Sequence, residues 1–177
     1  MITEAGRIPG DEPLAYFLTW TTYGTWLPGD ERGWVEKPGQ FRAPDAAREK
    51  VARRRMTEPA LTLDVEQRQL VETAITDHCR FRGWELHTVS ARTQHVHVVV
   101  TAPGRTPKEV MDQFKAWCTR RLKERERSLD KTHLRSNWWT QGGSKRWLND
   151  IESLEAAIQY VAEGQGEPTP ATGEKQT

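Results

Sequence analysis

At 177 residues the chain has room for one domain with a real hydrophobic core. A net charge of +1, with 29% charged residues of mixed sign, gives no global attraction to nucleic acid or to a membrane surface. Two cysteines, Cys79 and Cys118, lie far apart without metal or redox spacing. They argue against a disulfide scaffold, and the lack of an apolar run of about 18 residues argues against a membrane span. The expectation is a soluble, cytoplasmic protein with no membrane partner. Eight tryptophans are many for this length and imply either a Trp-rich core or flat stacking platforms.

Residues 1–13 are polar, contain Gly and Pro, and read as a flexible arm. Ala15 to Tyr23 is rich in aromatic and β-branched residues and reads as a strand. Phe17, Thr19, Thr21 and Tyr23 share one of its faces; Tyr16, Leu18, Trp20 and Thr22 share the other. Gly24 to Ala60 carries turn residues throughout, with a short helix expected near Asp45 to Arg55. A connection this long is a candidate substrate-binding insertion, or else a solvated loop. Asp64 to Arg82 reads as a helix capped by Asp64 and Gln67 and stopped at Gly83, with Val65, Leu70 (or Gln69), Ala74, Ile75 and Cys79 on its apolar stripe. Trp84 to Val89 alternates as a second strand, and Ser90 to Gln94 turns the chain back.

Thr93 to Thr101 reads T-Q-H-V-H-V-V-V-T, the most apolar short run in the chain. Its β-branched residues suit a buried strand. His95 and His97 then share a face, roughly 7 Å apart along the backbone. Two neighbouring imidazoles can each give one nitrogen to a divalent metal; the bland alternative is two half-buried sheet histidines.

Thr106-Pro107-Lys108-Glu109 opens a long helix to about Arg127, with Val110, Phe114, Trp117, Cys118 and Leu122 as its stripe. Lys145 to Leu148 is a short strand candidate. Asn149 or Asp150 caps a last helix from Ile151 to about Glu163, with Leu154, Ala157, Ile158 and Val161 as its stripe and Gly164 as its end. Residues 167–177 read as a disordered tail. The order is strand, helix, strand, strand, helix, strand, helix. That predicts an α+β, ferredoxin-like split βαβ fold over residues 14–166. It has a four-to-five-stranded antiparallel sheet, two helices on one face, and an extra C-terminal helix. The first and third strands pair centrally. Val96, Val98 and Val100 face the two helices, so the histidines take the opposite, accessible face.

His95-Val96-His97, the run from Trp139 to Leu148 (W-T-Q-G-G-S-K-R-W-L) and Tyr160 within I-Q-Y-V together resemble the single-tyrosine HUH transposases. That family includes insertion-sequence enzymes and their REP-associated relatives. The opening Y-F-L-T-W-T-T-Y-G-T-W-L-P-G-D looks like one branch of it. The resemblance implies metal-dependent cleavage and rejoining of single-stranded, hairpin-flanked DNA. Tyr160 would be the nucleophile, forming a 5′-phosphotyrosine, and Mg2+ or Mn2+ would sit on His95 and His97. The family places a polar ligand one helical turn after the tyrosine, where this chain has Gly164. Gln165 is the first substitute and Glu163 the second. The resemblance also allows a homodimer.

Arg53, Arg54, Arg55, Lys115, Arg120, Arg121, Lys145 and Arg146 are candidate phosphate contacts, and Trp138, Trp139 and Trp26 candidate base platforms. For each, a solvated charge or a core aromatic is the bland alternative. Two other functions remain open: a catalytically silent regulator that binds hairpin DNA or RNA, and a metal-dependent hydrolase without a covalent intermediate.

Overall fold

The computed structural model describes residues 12–36, 39–129 and 131–163. The disordered-tail expectation, and those for Gly164 and Gln165, fall outside these residues. Ten elements follow in order: β1 (Ala15–Thr21), β2 (Trp34–Glu36), β3 (Gln40–Arg42), α1 (Ala46–Arg54), α2 (Val65–Arg82), β4 (Glu85–Ala91), β5 (His95–Thr101), α3 (Pro107–Ser128), β6 (Ser144–Leu148) and α4 (Ile151–Glu163).

The main sheet has four antiparallel strands in the order β4-β5-β1-β6. With α2 and α3 as crossovers, this is the split βαβ arrangement. The central pair aligns Thr19 with His97 and Thr21 with His95. Pleating then sends Tyr16, Leu18, Trp20, Val96, Val98 and Val100 to one face, where they form the main core with α2 and α3. Phe17, Val99, Ala15 and Leu148 face the other way and form a second core with Ala157 and Val161 of α4. The histidine face is therefore not open: α4 covers part of it.

The helix ends follow local chemistry. Asp64 and Gln67 make a reciprocal capping box on α2, and Gly83 closes it in a left-handed conformation, φ 68°. Thr106 and Glu109 do the same for α3, with Pro107 in the first turn. Asp150 caps α4 by accepting from the Ser153 amide at 2.7 Å and its hydroxyl at 2.9 Å.

Two expectations change. Val65 is 57% exposed, not on the buried stripe of α2. The buried first-turn residue is Gln67, drawn in by its cap bond to the Asp64 amide. The 24–60 connection is more ordered than its turn residues suggested. It holds α1 near the expected place, capped by Asp45, and a β2–β3 hairpin. Strands of three residues are too short to show a period.

Candidate active site

Four rings converge under α4. His95 and His97 lie with ring centroids 4.6 Å apart and planes at 70°. Tyr160 of α4 meets the His97 ring edge-on at 5.8 Å. Phe17 of β1 touches both, at 5.7 Å from His97 and 5.9 Å from Tyr160. The register explains the meeting. Phe17 and His97 project from neighbouring central strands on one face, and the apolar stripe of α4 lays its flank over them. Tyr160, beside that stripe, is half-buried at this edge.

His97 is 6% exposed, so it is not the accessible side chain expected. Burial pushes its imidazole down to about 4, with the charges of His95 and Arg92 acting the same way. The ring is therefore neutral at neutral pH, as a metal ligand must be. Thr19, opposite on β1, has its hydroxyl 2.8 Å from Nδ1 of His97. That contact leaves Nε2 for another partner. His95, at the strand's start, is half-exposed.

A divalent ion fits this pair in part. Two imidazoles, one held neutral by burial and oriented by a hydroxyl, can each give one nitrogen to such an ion, while the oxygen ligands that Mg2+ and Mn2+ favour would come from phosphate and water. Among the described residues no cluster of three or more His, Cys, Asp or Glu forms. Glu163 is exposed, and its carboxylate accepts from the Gln159 side chain at 2.6 Å.

The proposed DNA contacts divide. Arg146 on β6 pairs with Phe17 and carries its guanidinium 5.8 Å from that ring, beside the site. Arg92, which sequence reasoning missed, also acts on His97; its place in the turn before the histidine strand was the available signal. Lys115 is not a free cation. Its ammonium donates to the carbonyls of Thr140, at 2.9 Å, and Gly142, and burial lowers it to about 8. Lys145 donates to the Gly143 carbonyl at 2.8 Å and projects from the sheet's other face. Arg120 and Arg121 pair with Glu124 at 3.2 and 3.1 Å on α3, also beyond the sheet from the histidines.

Trp138 and Trp139 are not stacking platforms. Trp138 is 2% exposed in the main core, with its indole N–H donating to the Arg135 carbonyl. Trp139 packs edge-on to Trp20 at 6.1 Å and donates to the Lys115 carbonyl and the Thr119 hydroxyl. Backbone pairing of Thr22 with Trp139 extends β1 and folds this pair against the core. Trp26 is also committed, to the Gly33 carbonyl at 2.7 Å. Arg53, Arg54 and Arg55 are exposed on and just after α1.

The model of IS200-like transposases matches residues 51–163, well over half of the chain, and the protein belongs to that family. Its function is accordingly of the transposase type. No curated protein matches the sequence. Among solved structures, the chain is similar to a REP-associated tyrosine transposase bound to a REP hairpin, at 12% identity and TM-score 0.49, over 86% of this chain and 67% of that one. It is also similar to a putative transposase from Deinococcus radiodurans R1, at 19% identity and TM-score 0.43, over 93% and 98%. The described residues include no helix long and apolar enough to cross a membrane.

Proposed function

We propose that the protein is a metal-dependent single-stranded DNA endonuclease and strand transferase. It acts on hairpin-flanked DNA through a 5′-phosphotyrosine on Tyr160. One observation carries this reading: the Tyr160 ring sits against the His97 ring at 5.8 Å, with His95 a further 4.6 Å along. A tyrosine needed only for packing could sit anywhere along the buried flank of α4. Here it meets the His97 imidazole edge-on, within the residues that the family model matches.

The chemistry follows from the side chains. His95 and His97 would hold Mg2+ or Mn2+, which when bound supplies polarisation of the scissile phosphate and offsets its developing charge. Thr19 fixes the His97 ring, and Phe17 with the α4 stripe keeps water from its buried side. Tyr160 Oη gives up its proton and bonds to phosphorus, and the bond from phosphorus to the 3′ oxygen breaks. That oxygen takes a proton and leaves as a 3′-hydroxyl. The phosphoester bond is conserved as phosphotyrosine, so a 3′-hydroxyl can reverse the step and reseal DNA without ATP. Arg146, over the Phe17 ring, and Arg92, whose charge acts on His97, would steady the phosphate charge.

The test is denaturing electrophoresis after incubation with labelled single-stranded hairpin DNA and Mg2+ or Mn2+. Wild type gives a detergent-stable adduct that maps to a Tyr160 peptide. Tyr160→Phe keeps the ring's packing and gives none. An adduct on the Phe variant moves the nucleophile elsewhere. Cleavage without any wild-type adduct hands the step to water and the reading to a hydrolase.

A further inference from the structure

The 24–60 insertion begins and ends beside the histidines. Thr21 pairs with His95, and the next amide, Thr22, donates to the Gln94 carbonyl at 2.8 Å. On return, the Leu61 amide donates to the Tyr23 carbonyl at 2.8 Å and the Leu63 amide to the Thr93 carbonyl at 2.7 Å. Both ends are thus stitched to the strand end that carries His95. A strand of DNA held at the histidines and running past that end would meet the insertion.

Within it, α1 has no buried residue. Helices of globular proteins ordinarily bury an apolar stripe, so one with no buried residue is unusual. Its position is nonetheless held. Gly29, at φ 94°, lets the backbone approach so closely that a Cβ there would collide with the Asp45 carbonyl and the Glu49 amide. The Asp45 amide donates to the Gly29 carbonyl at 2.9 Å, and the Arg48 guanidinium lies 4.8 Å from the centre of the buried Trp34 ring. After the helix, the Thr57 amide donates to the Tyr23 hydroxyl at 3.1 Å. The helix is fixed through its backbone and Arg48, which leaves Lys50, Arg54 and Arg55 to solvent.

Those side chains are basic. Residues 46–55 carry Arg48, Lys50, Arg53, Arg54 and Arg55 against Glu49 alone. Arg48 is spent on Trp34 and Glu36, and Arg53 pairs with Glu49. Lys50, Arg54 and Arg55 are exposed and form no ion pair among the described residues. Residues 24–50, most of the insertion, lie outside the span matched by the family model.

We propose that the insertion is a second DNA-contacting arm, in which Lys50, Arg54 and Arg55 grip the phosphodiester backbone of the strand that continues from the histidine site. This rests on the reading of the protein as a single-strand DNA enzyme. The three cations complement phosphates, which carry no sequence information, so their contact is independent of sequence. It lengthens the bound segment rather than choosing it.

The experiment compares wild type with the triple variant Lys50→Gln, Arg54→Gln, Arg55→Gln. Glutamine keeps helix propensity and loses the charge. Affinities are measured for a single strand of about 30 nucleotides and one of about 10, over a range of salt. For wild type the longer strand binds more tightly. In the variant that preference falls on the order of tenfold, and the slope of log affinity against log salt for the long strand shrinks by roughly 2, as three lost phosphate contacts require. Arg54→Lys with Arg55→Lys keeps the charge and keeps the preference. A triple variant with the wild-type length preference and salt slope overturns the proposal. Adduct formation is read in parallel on labelled single-stranded hairpin DNA with Mg2+ or Mn2+. Length-dependent binding without an adduct would sink the enzymatic reading and leave the arm standing. An adduct with unchanged length preference would do the reverse.

Discussion

Thr19 shows what a single side chain contributes to the site. Its hydroxyl lies 2.8 Å from Nδ1 of a nearly buried imidazole. A hydroxyl can donate or accept, so it suits His97 in either tautomer. With Nδ1–H donating to Thr19, Nε2 carries the lone pair a metal needs. Thr19→Val keeps the β-branched shape and removes the partner. It should weaken Mn2+ binding roughly 10- to 100-fold. It should also cost about 1–3 kcal/mol of stability, because a buried ring nitrogen loses its hydrogen bond. Titration calorimetry measures the first and thermal melting the second. Thr19→Ser should recover most of the affinity. If the valine variant binds Mn2+ as wild type does, Phe17 and Tyr160 alone hold the ring. Strand parity already put Thr19 on the face of Phe17 and Thr21. Its place opposite His97 depends on register between strands 78 residues apart, which no local pattern carries.

At the level of elements, α4 is a separate layer. Its stripe of Leu154, Ala157, Ile158 and Val161 meets only the small second core, on the far side of the sheet from α2 and α3. Val161 is 2% exposed there. Val161→Asp buries an unpaired carboxylate, and the least costly relief is for α4 to lift away with Tyr160. Hydrogen exchange should then show lost protection over Ile151–Glu163, retained protection in α2 and α3, and no DNA adduct. Phe114→Ala empties part of the main core and should cost about 3–5 kcal/mol globally. Protection lost equally in α2, α3 and α4 of the Val161 variant would mean that both layers unfold as one unit. The helices were legible because caps and stripes are local: Thr106 with Glu109, Asp64 with Gln67, and the 3.6-residue recurrence in α4. The tryptophans were not. Trp138 sits in a polar turn, and backbone pairing of this turn with Thr21 to Tyr23, across the sheet's end, brings it into the core. Lys115 misled for the same reason, since its carbonyl partners come from a loop that sequence spacing does not bring near.

For the whole molecule, each of the two cores holds a histidine kept neutral. His97 belongs to the α4 side and is pushed down to about 4, chiefly by burial. His78 belongs to the α2–α3 side, ringed by Trp84, Trp117 and Phe114 at 5.5, 5.7 and 5.9 Å, and its Nε2–H donates to Gln113 at 3.1 Å. Burial lowers its pKa as well. In the unfolded chain both rings take a proton near pH 6.5, while the folded protein resists doing so. Below that pH the unfolded state binds more protons, so stability falls as pH falls. Each ring can remove up to about 1.4 kcal/mol per pH unit. For His97 the loss runs from about 6.5 to about 4 and totals up to about 3 kcal/mol. The Arg32 side chain holds Asp30 below its ordinary carboxylate value, and the Ser136 and Asn137 amides hold Glu58 below its own against burial, so the unfolded chain outbinds the folded one at these carboxylates only around pH 4 and below. The interval from pH 6.5 to about 5 therefore reports the histidines. Metal-free protein should melt progressively lower across it, and His78→Gln should flatten that fall because one of the two proton-accepting rings is gone. A melting temperature constant from pH 7 to 5 would mean that both rings charge freely in the fold. The neutral imidazole next to Tyr160, on which metal binding by His97 depends, would then be lost near pH 6.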